Sequence, residues 1–526
     1  MFKKKKLHLK KFYFNPILTF LLLTLGTVFL SAILSKLEMQ GTYNTVNPIT
    51  KEIEPVLVTV ENLLNFNGIR YIISSTTKKF ISFAPLITLI MSLIGIAIIE
   101  STGFLEALSR KVFRKIPKNI LTFIIIFLGV ISSLINEVGY AILIPLVALI
   151  YFINERNPIL GVITAFCGTA FGYGVSIFIG TMDVSLMNYT ENAALLIDET
   201  SHISLTSNLY FIVAASIIIS IIGTIIIEKV IAPKIGKYKI EESSPTEKYQ
   251  TITEADEQAY IERDKNEKKG LKYALISGLI IIFLFVWALI PKLPLSGMLL
   301  NMKEPTYLGQ IFGKESYFKN SFTYIIFIFL LVTAIAYGIG AKTLKKDKLK
   351  QTTAFSNVGS IIILLFVMSQ FIFVFKKTNI GLIITIWLTN LLKSLNFTGI
   401  PLIIMTALTI AIANLFFPNT AAKWKVLSPV VVPMFMQTNI SPQFAQIVMR
   451  VGNSMSNGLT PLLASFSIYL AYLNYYNLNK AKPYTIKRSL KLILPYCLLI
   501  SVSWLLLLVG WYIIGIPTGP GVYPKI

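Results

Sequence analysis

Two cysteines and two histidines in 526 residues leave little for redox or imidazole chemistry. Cys167 and Cys497 both fall in apolar stretches, which suits packing rather than a disulfide framework or a thiolate metal site. His8 and His202 lie outside the apolar runs, so histidine-based zinc and acid–base chemistry has almost no material. Charge is scarce as well. Only 14% of residues are charged against 54% hydrophobic, and the mean hydropathy is +0.69. A water-soluble chain does not carry that balance. There is no H-E-x-x-H and no paired-aspartate signature, and GIGAKT (338–343) lacks the Walker spacing. A membrane enzyme and an ATP-driven pump are therefore disfavoured.

Long apolar runs fill the chain instead, many of them near the ~20 residues that a helix needs to cross a bilayer. In lipid every backbone polar group must be paired internally, so helices are the default spans. Nine single spans are expected: 14–34, 82–100, 158–180, 206–228, 272–291, 321–341, 357–375, 443–474 and 489–516. The basic start, MFKKKKLHLKKF, precedes a run too long for a signal peptide and without a clear A-x-A site, so it predicts an uncleaved first span with cytoplasmic lysines. Two further blocks, 119–153 and 398–437, are too long for one span and are broken by polar residues, at Asn136-Glu137 and at PNTAAKWK (418–425). Each reads as a helical hairpin. The stretch 379–392 reads as an arm along the interface.

The net charge of +23 does not point to nucleic acid, because its distribution follows the membrane. With the N-terminus inside, about two thirds of the 48 Lys and Arg fall in cytoplasmic pieces, and the external loop 181–205 has none. This divides the chain into a basic cytoplasmic N-terminus (1–13), a first membrane half (14–228), a cytoplasmic loop (229–271), a second half (272–516) and an external tail (517–526). Of the loop, 235–271 reads as solvated. The first hairpin starts from the cytoplasm. Five single crossings then place the start of the second outside. Each hairpin is followed by a short polar link ending in Pro, NERNP (154–158) or TNISP (438–442), and then by a helix that meets a break, GTMD (180–183) or GNSMSNGLTP (452–461). The pattern predicts an all-α polytopic membrane protein with nine transmembrane helices, two oppositely oriented re-entrant hairpins and an inverted repeat, the outline of a secondary transporter. A channel would not need two occluding hairpins.

The polar residues at these breaks are the candidate site. Asn136 and Glu137 form either a buried re-entrant tip or an external turn between two full spans. Asn419 and Thr420 at the second tip supply oxygens that, with Asn136 and Glu137, suit a small cation. Trp424 either stacks on an aromatic substrate or anchors the interface between snorkelling Lys423 and Lys425. Arg450, inside an apolar span, pairs with a substrate carboxylate or with a protein one, Asp183 or Glu137. Asp183 is a coupling-cation ligand or a solvated cap.

The stretches FAPLITLIMSLIGIAIIE, LTFIIIFLGVISSLINEVGYAILIPL, FIGTMDVSL, TGIPLIIMTALTIAIANLFF, AKWKVLSPVVVPMFM and RVGNSMSNGLTPLL resemble, in order from about residue 55 to 475, the AbgT family of p-aminobenzoyl-glutamate transporters and antimetabolite exporters. The resemblance implies a bacterial inner-membrane homodimer of nine-helix protomers with two re-entrant hairpins. It implies functional roles for Asp183, Asn414, Trp424, Pro442, Arg450 and Pro461. Three positions depart from the family pattern: Ala421 stands for the serine of S-A-K-W, Asn453 for the acid of G-D-S, and Asn136-Glu137 for an S-D pair. Asn453 cannot titrate but can ligate Na⁺ through its carbonyl. The implied function is ion-gradient-driven transport of p-aminobenzoyl-glutamate or related aromatic carboxylates or sulfonamides, with no cofactor and with Na⁺ or H⁺ as the coupling ion. A dicarboxylate or other organic-anion carrier is the alternative.

Overall fold

The computed structural model describes residues 15–46, 53–132, 138–238, 254–313, 315–344, 358–479 and 481–526. Asn15 caps α1 (Pro16–Lys36), its side-chain oxygen accepting from Ile17 N at 3.0 Å, and Pro16 fills a first-turn position that needs no N–H. An antiparallel pair follows, β1 (Gln40–Val46) and β2 (Ile53–Thr59), which the search for apolar runs did not foresee. The first half continues with α2 (Phe66–Ile81), α3 (Ala84–Thr102), α4 (Phe104–Lys111), α5 (Lys118–Ser132), α6 (Val138–Ile153), α7 (Pro158–Phe171), α8 (Thr181–Ala194) and α9 (Leu209–Ile226). A π-helical turn, Ile227–Ile231, leads into the short α10 (Ala232–Ile235). The second half holds α11 (Glu254–Trp287), α12 (Tyr307–Phe312), α13 (Tyr317–Gly340), α14 (Val358–Lys377), α15 (Ile380–Ser394), α16 (Gly399–Phe416), α17 (Thr420–Met436), α18 (Pro442–Ser456), α19 (Phe466–Tyr475) and α20 (Ile486–Ile514).

Among the described residues eight helices are long and apolar enough to cross a bilayer, or nine if the pair Phe104–Lys115 and Lys118–Ser132, bent by 119°, is one span. The spans expected at 14–34, 82–100, 206–228, 272–291, 321–341, 357–375 and 489–516 each correspond to a long helix. Those expected at 158–180 and 443–474 do not. α7 stops at Phe171, and 443–474 divides into α18 and α19.

Both breaks are displaced from their expected positions, overlapping them only at Gly180 and at Thr460-Pro461. The first begins at Gly172, and GTMD instead starts a new helix, with Gly180 as its N-cap. Close packing explains the shift: a Cβ on Gly172 would lie 2.5 Å from Val130, and one on Gly174 would lie 2.5 Å from Arg450 O. In the second case Gly452 to Ser456 remain helical, and the chain leaves helix at 460–465. Gly452 serves contact rather than interruption, since a Cβ there would be 2.6 Å from Ala407 O on α16.

Two expected loops are partly helical. The region 181–205 contains α8, whose polar sequence hides it from a hydropathy reading. The region expected as a solvated loop, 235–271, is helical from Glu254, where good helix formers are joined by Arg263–Glu267 (3.2 Å) and Asp264–Lys268 (2.8 Å) pairs at i,i+4. The arm is α15, 15 residues or about 22 Å long, short of the ~30 Å hydrocarbon core. Asn379 turns the chain into it at φ 62°, a left-handed conformation that Asn tolerates.

Each hairpin packs on the helix that follows it: α5 and α6 on α7, α16 and α17 on α18. α5 meets α7 backbone to backbone, for a Cβ on Gly129 would be 2.9 Å from the Gly168 carbonyl carbon. α7 and α18 begin alike. Asn157 accepts from Ile159 N at 3.0 Å and Ser441 from Phe444 N at 3.3 Å, each just before its proline. α8 packs along α17 and joins the two halves. Both links are fastened. Arg156 pairs with Glu228 at 2.6 Å and Asn157 donates to Gly236 O at 3.1 Å. At the second link Ser441 N donates to Pro524 O (2.9 Å) and Ile526 N to Asn439 O (3.2 Å), so 517–526 folds back on the protein.

Candidate functional site

One ion pair joins the helix after the first break, α8, to the helix before the second, α18. Arg450 Nη2 lies 2.5 Å from Asp183 Oδ1, and the two side chains are only 4% and 10% exposed. Asp183 Oδ2 accepts from Gly180 N at 2.5 Å, which caps α8 and fixes the carboxylate at the helix start, where the helix dipole favours an anion. Arg450 Nη1 donates to Gly174 O at 3.2 Å, and Ser454 Oγ accepts from Gly174 N at 2.9 Å. Asp183 is therefore a buried partner of Arg450 rather than a solvated cap. Neither of its oxygens is free, and Arg450 Nε is a buried donor with no acceptor among the described residues.

A second polar cluster joins the start of α17 to α18. Asn453 Nδ2 donates to Thr420 Oγ1 at 2.8 Å, and Asn414 Nδ2 lies 3.4 Å from Asn453 O and 3.3 Å from Ser456 Oγ. Asn453 Oδ1 is buried without a donor among the described residues. Such orphaned acceptors are rare in folded proteins and usually mark water, an ion or a functional role. Asn414 Oδ1 accepts from Lys423 Nζ at 2.5 Å.

Lys423 and Trp424 correct the reading of AKWK as an interfacial anchor. Both are fully buried, and Trp424 Nε1 donates to Thr190 Oγ1 on α8 at 2.8 Å. The polar tip is confined to 417–419, and 420–425 is already helix. Helical spacing carried the signal for Lys423: Thr420, Lys423, Trp424, Leu427 and Val431 follow the i, i+3, i+4 rhythm of one buried face, with Lys425 on the other. Of the two alternatives for this stretch, the one with Lys423 snorkelling at the interface is overturned by its burial.

A cavity of about 610 Å³ lies where these parts converge. It is lined by Thr181 and Ser185 of α8, by 417–421 at the second tip, by Asn457 and 462–464 at the second break, and by Tyr140 of α6. Its walls are aromatic to an unusual degree, with Tyr140, Tyr173, Phe375, Phe416 and Phe417. A larger cavity, about 800 Å³, opens between α3–α4 and α11–α13. Neither the break at 172–180 nor that at 460–465 lines it, and Arg110 and Glu267 within it already pair at 2.6 Å. The smaller cavity is thus the candidate binding site, and its size falls in the ~300–1,000 Å³ range of small-molecule sites.

The structure brings some of the expected residues together and separates others. Asn419 and Thr420 line the cavity, though Asn419 Oδ1 also caps α17 by accepting from Ala422 N at 3.0 Å. Asn414, Asn453 and Thr420 share one cluster, and Asp183 and Arg450 share another. Trp424 and Arg450 do not line the 610 Å³ cavity. Pro442 starts α18, and Pro461 stands in the break after Thr460. Asn136 and Glu137 lie outside the described residues.

A family model described as the "AbgT putative transporter family" matches residues 11–526. The chain belongs to the AbgT family. This AbgT-family protein is accordingly a multi-pass membrane transporter and not an enzyme. It is 29% identical to the p-aminobenzoyl-glutamate transport protein of Escherichia coli (strain K12), over 97% of this chain and 94% of that one. Among solved structures it is similar to the YdaH transporter of Alcanivorax borkumensis, with 25% identity, a TM-score of 0.47, and 96% and 100% of the two chains covered. It is also similar to MtrF of Neisseria gonorrhoeae, described with a class of antimetabolite efflux pumps, at 27% identity and a TM-score of 0.46 over 97% and 98%.

Proposed function

We propose that this AbgT-family protein is a secondary transporter, driven by an ion gradient, of p-aminobenzoyl-glutamate or a related aromatic carboxylate or sulfonamide antimetabolite. The observation that carries the reading is the aromatic-walled cavity of about 610 Å³ at the junction of both helix breaks and the second hairpin. Discontinuous helices supply such sites in transporters. The aromatic walls favour a ring-bearing substrate over a simple dicarboxylate.

The Asp183–Arg450 pair ties the two broken helices together in this conformation. Release of Asp183 to a coupling ion frees Arg450 for a substrate carboxylate, which links ion and substrate through one buried contact. Asn419 and Thr420, with Asn136 and Glu137, complete the ion path. Hard cations take oxygen ligands, and Asn453 Oδ1 is the buried acceptor left without a donor beside Thr420. The hairpins enter from opposite faces of a bacterial inner membrane, with the N-terminus cytoplasmic, and the protein works as a homodimer. The short arms of the first hairpin, 15 and 16 residues, support re-entrance over two full spans.

The test is flux of labelled p-aminobenzoyl-glutamate in proteoliposomes with Na⁺ and pH gradients imposed separately, for wild type and Asn453→Asp. Flux driven by Na⁺ alone places Asn453 in a sodium-coupled site. Flux driven by protons assigns coupling to an acid, Asp183 or Glu137. Absence of flux under both gradients overturns the substrate and returns the assignment to dicarboxylates.

A further inference from the structure

The 610 Å³ cavity has one charged side chain among its described lining residues, Lys376. It stands in the last turn of α14, beside Phe375, which also lines the cavity. Its neighbour Lys377 is engaged elsewhere, 2.6 Å from Glu61 and over the ring of Tyr71. Lys376 makes no ion pair among the described residues. Of the buried cations nearby, Arg450 is occupied by Asp183 and Gly174, and Lys423 by Asn414. The cavity therefore offers a substrate one unneutralised positive charge.

The same cavity is lined by ring faces, Phe416 at the end of α16 and Phe417 at the second tip, and by Thr181 and Ser185 of α8. Lys376 is exposed to solvent, so its attraction for an anion is screened and modest, and the ring faces of the cavity supply the rest of the recognition. A basic residue in a last helical turn also complements the helix dipole. Lys377 already fills that role in the same turn, and the dipole does not require the second lysine to line a cavity. The combination of one ammonium and several ring faces matches an aromatic molecule carrying a carboxylate.

We propose that Lys376 is the anion-recognition residue of this cavity, holding a substrate carboxylate while the aromatic walls take the ring. The assignment rests on the transport reading above and sharpens it, since it makes the substrate an aromatic anion. Lys376 makes the first contact. Arg450 becomes available only when its pair with Asp183 opens.

The experiment measures binding to the full-length purified protein by calorimetry, with p-aminobenzoyl-glutamate and its uncharged diamide as probes, for wild type, Lys376→Gln and Lys376→Arg. Thermal midpoints first establish that all three fold alike, which an exposed side chain makes the expected result. Wild type binds the anion roughly threefold to fivefold more tightly than the diamide, the scale of one exposed ion pair. Lys376→Gln loses that preference and leaves diamide binding unchanged, while Lys376→Arg keeps most of it. A Lys376→Gln protein that still prefers the anion overturns the assignment and leaves the transport reading intact. So does a wild type that binds both probes equally while transporting p-aminobenzoyl-glutamate. A wild type that neither binds nor moves p-aminobenzoyl-glutamate removes the transport reading, and the assignment with it.

Discussion

All 14 residues of α7 are buried, whereas only 17% of the apolar window of α11 is. α7 is too short to register as a span, yet it is wrapped by α5, α6 and the second break. α11 is 34 residues long and pairs chiefly with α13, turning Leu279, Ile280 and Phe283 outward. α18 resembles α7. It carries Arg450, Asn453, Ser454 and Ser456, all buried. The contrast separates two meanings of burial. The periphery is apolar because its outer face meets lipid. The centre can hold Gly, Asn, Ser and a guanidinium because neighbouring helices supply their partners.

The sharpest way to break this contrast is at the ion pair. Asp183→Ala leaves the Arg450 guanidinium buried without its counter-charge, a change that costs about 3–5 kcal/mol. A large fall in thermal midpoint and loss of flux are expected. Asp183→Leu combined with Arg450→Met restores much of the stability and none of the transport. If the single alanine variant melts like wild type, the pair does not hold α8 to α18.

A smaller effect is expected at Asn414→Leu, which removes the acceptor of Lys423 and leaves a buried polar group unpaired, at about 1–3 kcal/mol. Adding Lys423→Met should recover most of the lost midpoint, because both partners are then apolar. Continued loss in the double variant would mean that Lys423 has another buried partner. Trp424→Phe forfeits the bond to Thr190, about 1 kcal/mol, with KM for an aromatic substrate unchanged. A raised KM at unchanged stability would return the indole to the substrate site. The smallest change belongs to the periphery, where Leu279→Ala on α11 should shift stability by no more than about 0.5 kcal/mol.

The same contrast explains what the sequence disclosed. Lipid-facing helices such as α1, α9, α11 and α20 announce themselves by hydropathy, because lipid imposes it directly. The Pro-started helices were legible from Asn157-Pro158 and Ser441-Pro442, since N-cap and proline chemistry is local. Asp183 and Arg450 stood out because charges in apolar surroundings need partners, and Asp183 was among the partners named. The polar α8 was invisible to a search for apolar runs. Break positions were misplaced by several residues, for a glycine in sequence does not say whether it ends a helix, as at Gly172, or lets one pass close to another, as at Gly452. Lys423 stayed undecided because snorkelling and deep burial begin with the same Lys-Trp-Lys letters.

The fastened links have a mechanical consequence. Arg156 on Glu228 and Asn157 on Gly236 pin the joint between the first hairpin and α7, and backbone bonds from the tail pin the joint between the second hairpin and α18. A lever turns where it is slack, and these joints are not slack. On the transport reading proposed above, rotation is thereby displaced to the breaks themselves, 172–180 and 460–465, which frame the cavity. The axle of the machine then runs beside its cargo, so a substrate that fills the cavity also bears on the pivot.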